Sequence, residues 1–142
     1  MKKTKILVVS KFADSHCPYI ERSLHDDFII ECYSRCDEIP FNDNSRPLIQ
    51  PAHVILFFLE GWSIAEVQRD VQALCPPSLD HKLYAILYIT DAERLDEVTA
   101  LLKEDDDVIL DTYNPVILQP KLRQLAKRSN LLKKLHRDLR HL

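Results

Sequence analysis

Glycine is almost missing from this sequence. Gly61 is the only one in 142 residues, where average usage gives about ten. A phosphate-cradling loop, a G-x-G-x-x-G dinucleotide turn and a G-x-S-x-G nucleophile elbow all need clustered glycines. Those three enzyme designs are excluded. Long apolar runs are missing too. Met-Lys-Lys-Thr-Lys at the start looks like the basic region of a signal peptide, but the run after it, Ile6 to Val9, breaks at Ser10-Lys11. That is too short for the apolar region of such a peptide. No stretch of about 18 apolar residues follows, so no contact with a membrane is expected. Cysteine is sparse, at 17, 32, 36 and 75. In a chain long enough to build its own core, four cysteines do not make a disulfide framework, which points to free thiols and a cytoplasmic location. Cys32-x-x-x-Cys36 lacks the second paired motif of a four-ligand zinc site. His16-Cys17 at a helix start lacks an obvious acid–base partner for a reactive thiolate. Neither a metal nor another cofactor is expected.

What is present is ordinary for one globular domain: 46% hydrophobic and 29% charged residues. The charge is uneven. From Leu118 to Leu142 eight Lys/Arg face one acid, a net +7, which leaves −10 on the rest of the chain. A basic tail on an acidic body suits nucleic acid or the solvated face of a helix. The leucine spacing there, and the lack of aromatics after Tyr113, favour the helix over a nucleic-acid partner.

Periodicity sets the order of elements. Lys5–Val9, Phe28–Tyr33, His53–Leu59, Leu83–Ile89 and Val108–Leu110 are short apolar runs that read as buried strands. Between them, Asp14-Ser15 is expected to cap a helix to about His25. The stretch 34–51, broken by Pro40, Pro47 and Pro51, reads as loop with at most a short helical turn. Ser63-Ile-Ala-Glu66 is a capping box opening a helix that places Ile64, Val67, Val71 and Leu74 on one face. Glu93–Glu104 is a further helix, and a long one follows Pro115 or Pro120. Strands alternating with helices imply right-handed crossovers and a doubly wound, flavodoxin-like α/β sheet of five parallel strands. Ligands of such sheets collect beyond the carboxyl ends of the strands, at Ser10-Lys11-Phe12, Phe58–Trp62, Thr90-Asp91 and Asp111–Pro115.

With KILVVS, VILFFLEGW, AILYIT and the Asn114-Pro115 pair in that order, residues 4–128 resemble the receiver (CheY-like) domain of response regulators. The resemblance implies an acidic pair after the first strand, a phospho-accepting Asp ending the third, Thr or Ser ending the fourth, and Lys-Pro after the fifth. Carried across, the acidic pair falls on Ser10 and Lys11, the acceptor on Phe57 or Phe58, the hydroxyl on Thr90, and the lysine on Asp111 or Asn114. A hydroxyl and an ammonium cannot replace carboxylates around Mg²⁺, and a phenyl ring cannot be phosphorylated. The expectation is a degenerate pseudo-receiver that is not an enzyme. Two alternatives stand beside it. One is a working acceptor with displaced acids, Glu60 and Asp14. The other is a domain binding an apolar small molecule between Phe57, Phe58 and Trp62, where Glu60 and Trp62 could also contact a partner.

The last helix is expected to do two things. Leu118, Leu122 and Leu125 suit packing on the sheet. Leu132, Leu135, Leu139 and Leu142 make a second leucine stripe, out of phase with the first. A one-sided stripe beyond the globular body wants its own copy in a coiled coil. Residues 129–142 are therefore read as a dimerising extension, Leu122 and Leu125 continuing into it, or as a linker to an output module.

Overall fold

Apolar runs without polar interruption avoid water on both sides, and the three most apolar ones become the central strands of a layered sheet, with the half-buried Phe28–Tyr33 and Asp107–Leu110 at its edges. The computed structural model describes residues 4–39, 52–72, 85–103, 106–110 and 114–140. Strands β1 (Thr4–Val9), β2 (Phe28–Tyr33), β3 (Ala52–Phe58), β4 (Ala85–Thr90) and β5 (Asp107–Leu110) form one parallel sheet in the order β2-β1-β3-β4-β5. Helices α1 (Ala13–Leu24), α2 (Ile64–Val71), α3 (Leu95–Thr99) and α4 (Pro115–Arg140) flank it. This is the doubly wound receiver topology. The strand order reverses about β1 and β3, which makes their carboxyl ends the switch point where ligands of such sheets gather. Among the described residues no helix is long and apolar enough to cross a membrane.

Period-two alternation divides the core. Leu7, Val9, Ile55, Phe57, Ile86 and Tyr88 point to one face and meet Trp62, Val67 of α2 and Val98 of α3. Ile6, Val8, Leu56, Phe58, Leu87 and Ile89 point to the other and meet Ile20 and Leu24 of α1 with Leu118, Leu122 and Leu125 of α4. Each such side chain contributes roughly 1.5–3 kcal/mol by leaving water.

Several expectations change. The helix expected over 93–104 is a 3₁₀ turn at Ala92–Arg94 followed by α3, which stops at Thr99. The Asp106 carboxylate takes the Lys103 amide and, from inside the sheet, the Ile86 amide. That turns the chain into β5 too early for another helical turn. The first helix begins at Ala13, not after Asp14-Ser15. Its N-cap is Phe12, which makes no side-chain capping bond, and the Phe12 amide instead donates to Ser10 Oγ at 3.0 Å. The expectation of free thiols is also overturned. Cys17 of α1 and Cys32 of β2 form a disulfide across a Cα–Cα distance of 6.3 Å, because α1 packs directly on β2 and brings together residues 15 apart in sequence. Cys36 is free and buried; Leu74 and Cys75 lie outside the described residues. A short 3₁₀ turn does occur at Cys36–Glu38.

Helix α4 is continuous over 26 residues, about 39 Å at 1.5 Å per residue. A six-residue strand spans about 20 Å, so the second half of α4 outruns the sheet. Part of its basic character serves the fold. Lys121 Nζ pairs with Asp107 at 2.7 Å, and Arg123 and Gln119 both reach Asp27 between α1 and β2. Burial pushes the Asp107 carboxyl up, but the Lys121 ammonium and the Val108 amide outweigh it and hold the group below its ordinary value. A depressed carboxylate stabilises the fold above its unfolded pKa, about 3.9. That contribution is lost as pH falls through the lower folded value. In urea titrations the stability gap between wild type and Asp107→Asn is therefore expected to be constant above about pH 5 and to close below about pH 4.

Candidate functional site

Three strand ends and the first turn of α1 converge at the switch point. Ser10 follows β1, is fully buried, and its backbone N–H donates to the Tyr33 carbonyl at 3.0 Å. Because α1 starts so early, His16 comes round over the end of β3. Its Nδ1 lies 2.6 Å from Ser10 Oγ and its Nε2 lies 3.1 Å from Glu60 Oε2. Its ring stacks on Phe58, with centroids 4.3 Å apart and planes 20° from parallel. The result is a Ser10–His16–Glu60 chain of hydrogen bonds lying across the Phe58 ring. Ser10 Oγ, sealed from solvent and already accepting from Phe12, is a poor nucleophile, so the chain fixes α1 to the strand ends.

On the other side of the β3 loop, Lys11 reaches across the switch point. Its ammonium donates to the Gly61 carbonyl at 2.8 Å and to Glu66 Oε2 at 3.1 Å, and sits 4.8 Å above the Trp62 ring. Glu66 is the second half of the capping box: Ser63 Oγ accepts the Glu66 amide while Glu66 Oε1 accepts the Ser63 amide. The Ser63 backbone bond, then Lys11, hold the Glu66 carboxyl down to about 2. The single glycine of the chain is needed here. Gly61 has φ +84°, and a Cβ would stand 3.0 Å from the Phe12 ring and 3.3 Å from the Lys11 stem.

Beyond the carboxyl ends of β3 and β4 lies a cavity of about 520 Å³ lined by Phe58, Glu60, Gly61, Ile89, Thr90, Asp91 and Arg94. Thr90 is 2% exposed and its hydroxyl has no hydrogen-bond partner among the described residues, which puts a donor–acceptor group on the cavity wall. Asp91 caps the following turn by accepting the Arg94 amide at 2.9 Å and pairs with Arg94 Nε at 3.3 Å. Arg94 also donates to the Trp62 carbonyl, tying the two loops together.

The residues singled out from sequence are only partly assembled. Phe58 and Thr90 share the cavity wall, and Ser10 and Lys11 stand at the end of β1 beside it. Phe57 does not join them. It opposes Val9 and Tyr88 in the sheet and points to the opposite face, packed on Trp62 and Tyr88. Trp62 is 6% exposed and packs 5.2 Å from Phe57, so it is a core residue and not the surface anchor its place beside Gly61 suggested. Glu60, with a side chain 60% exposed, is the accessible member of that pair. Asn114 is exposed and caps α4 by accepting the Val116 amide at 3.0 Å; it is not among the residues lining the cavity. Asp111 and Leu142 lie outside the described residues. Leu122 and Leu125 are buried against the sheet, so the body of the domain already covers them; Leu132, Leu135 and Leu139 are on the continuous α4 backbone. Sequence reasoning named His16 only beside Cys17, not as a neighbour of Ser10 and Glu60, and missed Arg94. The Asp91-x-x-Arg94 spacing carried a capping signal, whereas the place of His16 depends on where α1 starts, which no local cap announces.

No family model matches the chain, and no curated protein does. Solved structures do. A two-component response regulator from Clostridium difficile matches with a TM-score of 0.58 at 18% identity, over 90% of this chain and 99% of that one. A response regulator receiver protein from Burkholderia phymatum matches at 0.59 and 17% identity, over 88% and 96%. A streptococcal redox sensor, described as evolved from two-component response regulators, matches at 0.58 and 11% identity; this chain covers 55% of it, and the match takes in 94% of this chain. At these identities the likeness establishes the receiver fold.

Proposed function

We propose that the protein is a receiver-fold signalling domain that has lost phosphoryl transfer, has no enzymatic activity, and works by protein–protein contact through its last helix. It would serve as the regulatory part of a bacterial two-component or cyclic-di-GMP type signalling protein. The observation that carries this reading is the Lys11 ammonium. A receiver needs a divalent cation at the end of β1, and here a fixed positive charge already takes the Gly61 carbonyl and the Glu66 carboxylate. A metal ion there would meet repulsion and no acidic pair. Phe58 adds to this, since a phenyl ring stacked under His16 stands where the cavity wall would need a carboxylate. Glu60, the one candidate for a displaced acceptor, has an oxygen engaged by His16. The streptococcal neighbour is a precedent for a receiver fold named as a sensor of something other than phosphate.

The length of α4 supports output through it. Its second half outruns the sheet, and the stripe Leu132, Leu135, Leu139, Leu142 suits a second copy of this chain. Light scattering of the purified chain is expected to give a dimer. Deletion of residues 129–142 should give a monomer with unchanged circular dichroism of the body. A full chain that stays monomeric at high concentration, or a truncated one that still dimerises, overturns this mode of output.

A further inference from the structure

We propose that Cys17 and Cys32 form a reversible thiol–disulfide sensor whose state sets how firmly the first turns of α1, and with them His16, are held on the strand ends. The proposal names an input for the signalling domain proposed above and rests on that reading for its biological sense, although the thiol chemistry stands on its own geometry.

The disulfide joins the second turn of α1 to β2, and both cysteines are half-buried, so a dithiol reductant can reach them. Cys36 contrasts with them. It is fully buried, and burial, then the nearby Asp70 carboxylate, push its thiol far above the ordinary range, which keeps it out of exchange chemistry. The segment that the disulfide restrains is weak by itself. Phe12 supplies no side-chain cap, and Pro18 inside the helix has no amide to donate. The first turns of α1 are therefore held by tertiary ties: the disulfide, and the adjacent His16 with its bonds to Ser10 and Glu60 and its stack on Phe58. Cys17 and His16 are neighbours in sequence, so releasing one frees the backbone that positions the other.

The chemistry balances as a thiol–disulfide exchange. A thiolate of the reductant attacks one sulfur, forming a mixed disulfide, and the other sulfur leaves as a thiolate and is protonated. The second thiol of the reductant resolves the mixed disulfide. Two electrons and two protons pass to Cys17 and Cys32, one S–S bond breaks, and one forms on the reductant. A low-molecular-weight disulfide such as oxidised glutathione runs the reaction backwards and is itself reduced to two thiols.

The test equilibrates the full chain in glutathione redox buffers, traps free thiols by alkylation for mass analysis, and measures hydrogen exchange of the α1 amides in the same samples. Cys17 and Cys32 are expected to titrate together and reversibly in the folded protein. The amides of Ser15 to Cys17 should exchange about tenfold faster or more in the reduced form. Cys17→Ser and Cys32→Ser should show the fast exchange in every buffer, and Cys36→Ser should titrate as wild type does. Should a serine variant lose its circular dichroism, the oxidised-against-reduced comparison of wild type decides alone. Opening of the pair only on denaturation, independent alkylation of the two thiols in every buffer, or equal α1 exchange in both states overturns the proposal. None of these readouts uses phosphoryl chemistry or the truncated chain, so the sensor and the proposed function fail separately.

Discussion

Phe57→Ala is expected to cost about 3–5 kcal/mol of stability, the range for removing a buried phenyl ring. Phe57 is fully buried in the middle of the sheet, opposite Val9 on β1 and Tyr88 on β4. Its ring lies 5.2 Å from Trp62 and 5.9 Å from Tyr88, tilted against both. Truncation removes the transfer free energy of the ring and two aromatic contacts worth roughly 0.5–1.5 kcal/mol each. It also leaves a hole between sheet and α2 that close-packed strands cannot collapse to fill. Domains of this size are stable by about 5–15 kcal/mol, so the variant should unfold at a much lower urea concentration. Val116→Ala, at a highly exposed position, should change stability by less than about 0.5 kcal/mol. A Phe57→Ala loss below about 1 kcal/mol would mean that Phe57 is not packed as described.

The second large effect concerns Phe58, the ring that stands on the cavity wall. Phe58→Asp puts a carboxylate back where a receiver carries its acceptor, and it should still gain no response to beryllofluoride. The substitution is expected to destabilise by about 3–5 kcal/mol. It forfeits a fully buried ring and its stack with His16, and it buries an acid whose charged form is disfavoured there. Phe58→Leu, which keeps most of the apolar volume, should cost less than half as much. The restored carboxylate still lacks an acidic pair to share a cation with, because Ser10 is bonded to His16 and Lys11 presents an ammonium. A variant as stable as wild type that binds Mg²⁺ and beryllofluoride would show that one residue separates this site from a working one.

The sheet was legible in the sequence because its strands are apolar on both faces and its helices amphipathic, a pattern few architectures accommodate. The capping box at Ser63 was legible because both its hydrogen bonds are local. The same apolar monotony hid the direction of the side chains in β3. In VILFFL, residues 54–59, no polar residue marks an outward face, so Phe57 and Phe58 could not be told apart until β3 was seen paired with β1 and β4. The start of α1 was hidden because its cap is Phe12, whose amide is satisfied by Ser10 two residues earlier. The pairing of Cys17 with Cys32 depends in turn on that start and on α1 lying against β2. The His16 contacts follow from the same placement. What the sequence left open around His16 therefore comes from one helix beginning where no local signal says it should.

The most direct test of the account is a titration with Mg²⁺ and then beryllofluoride, followed by the fluorescence of Trp62, the only tryptophan, which lies under Lys11 and against Phe57. A flat response from a folded protein is expected. A saturable, Mg²⁺-dependent change that is lost in Glu60→Gln would contradict it and give the site back its phosphorylation switch.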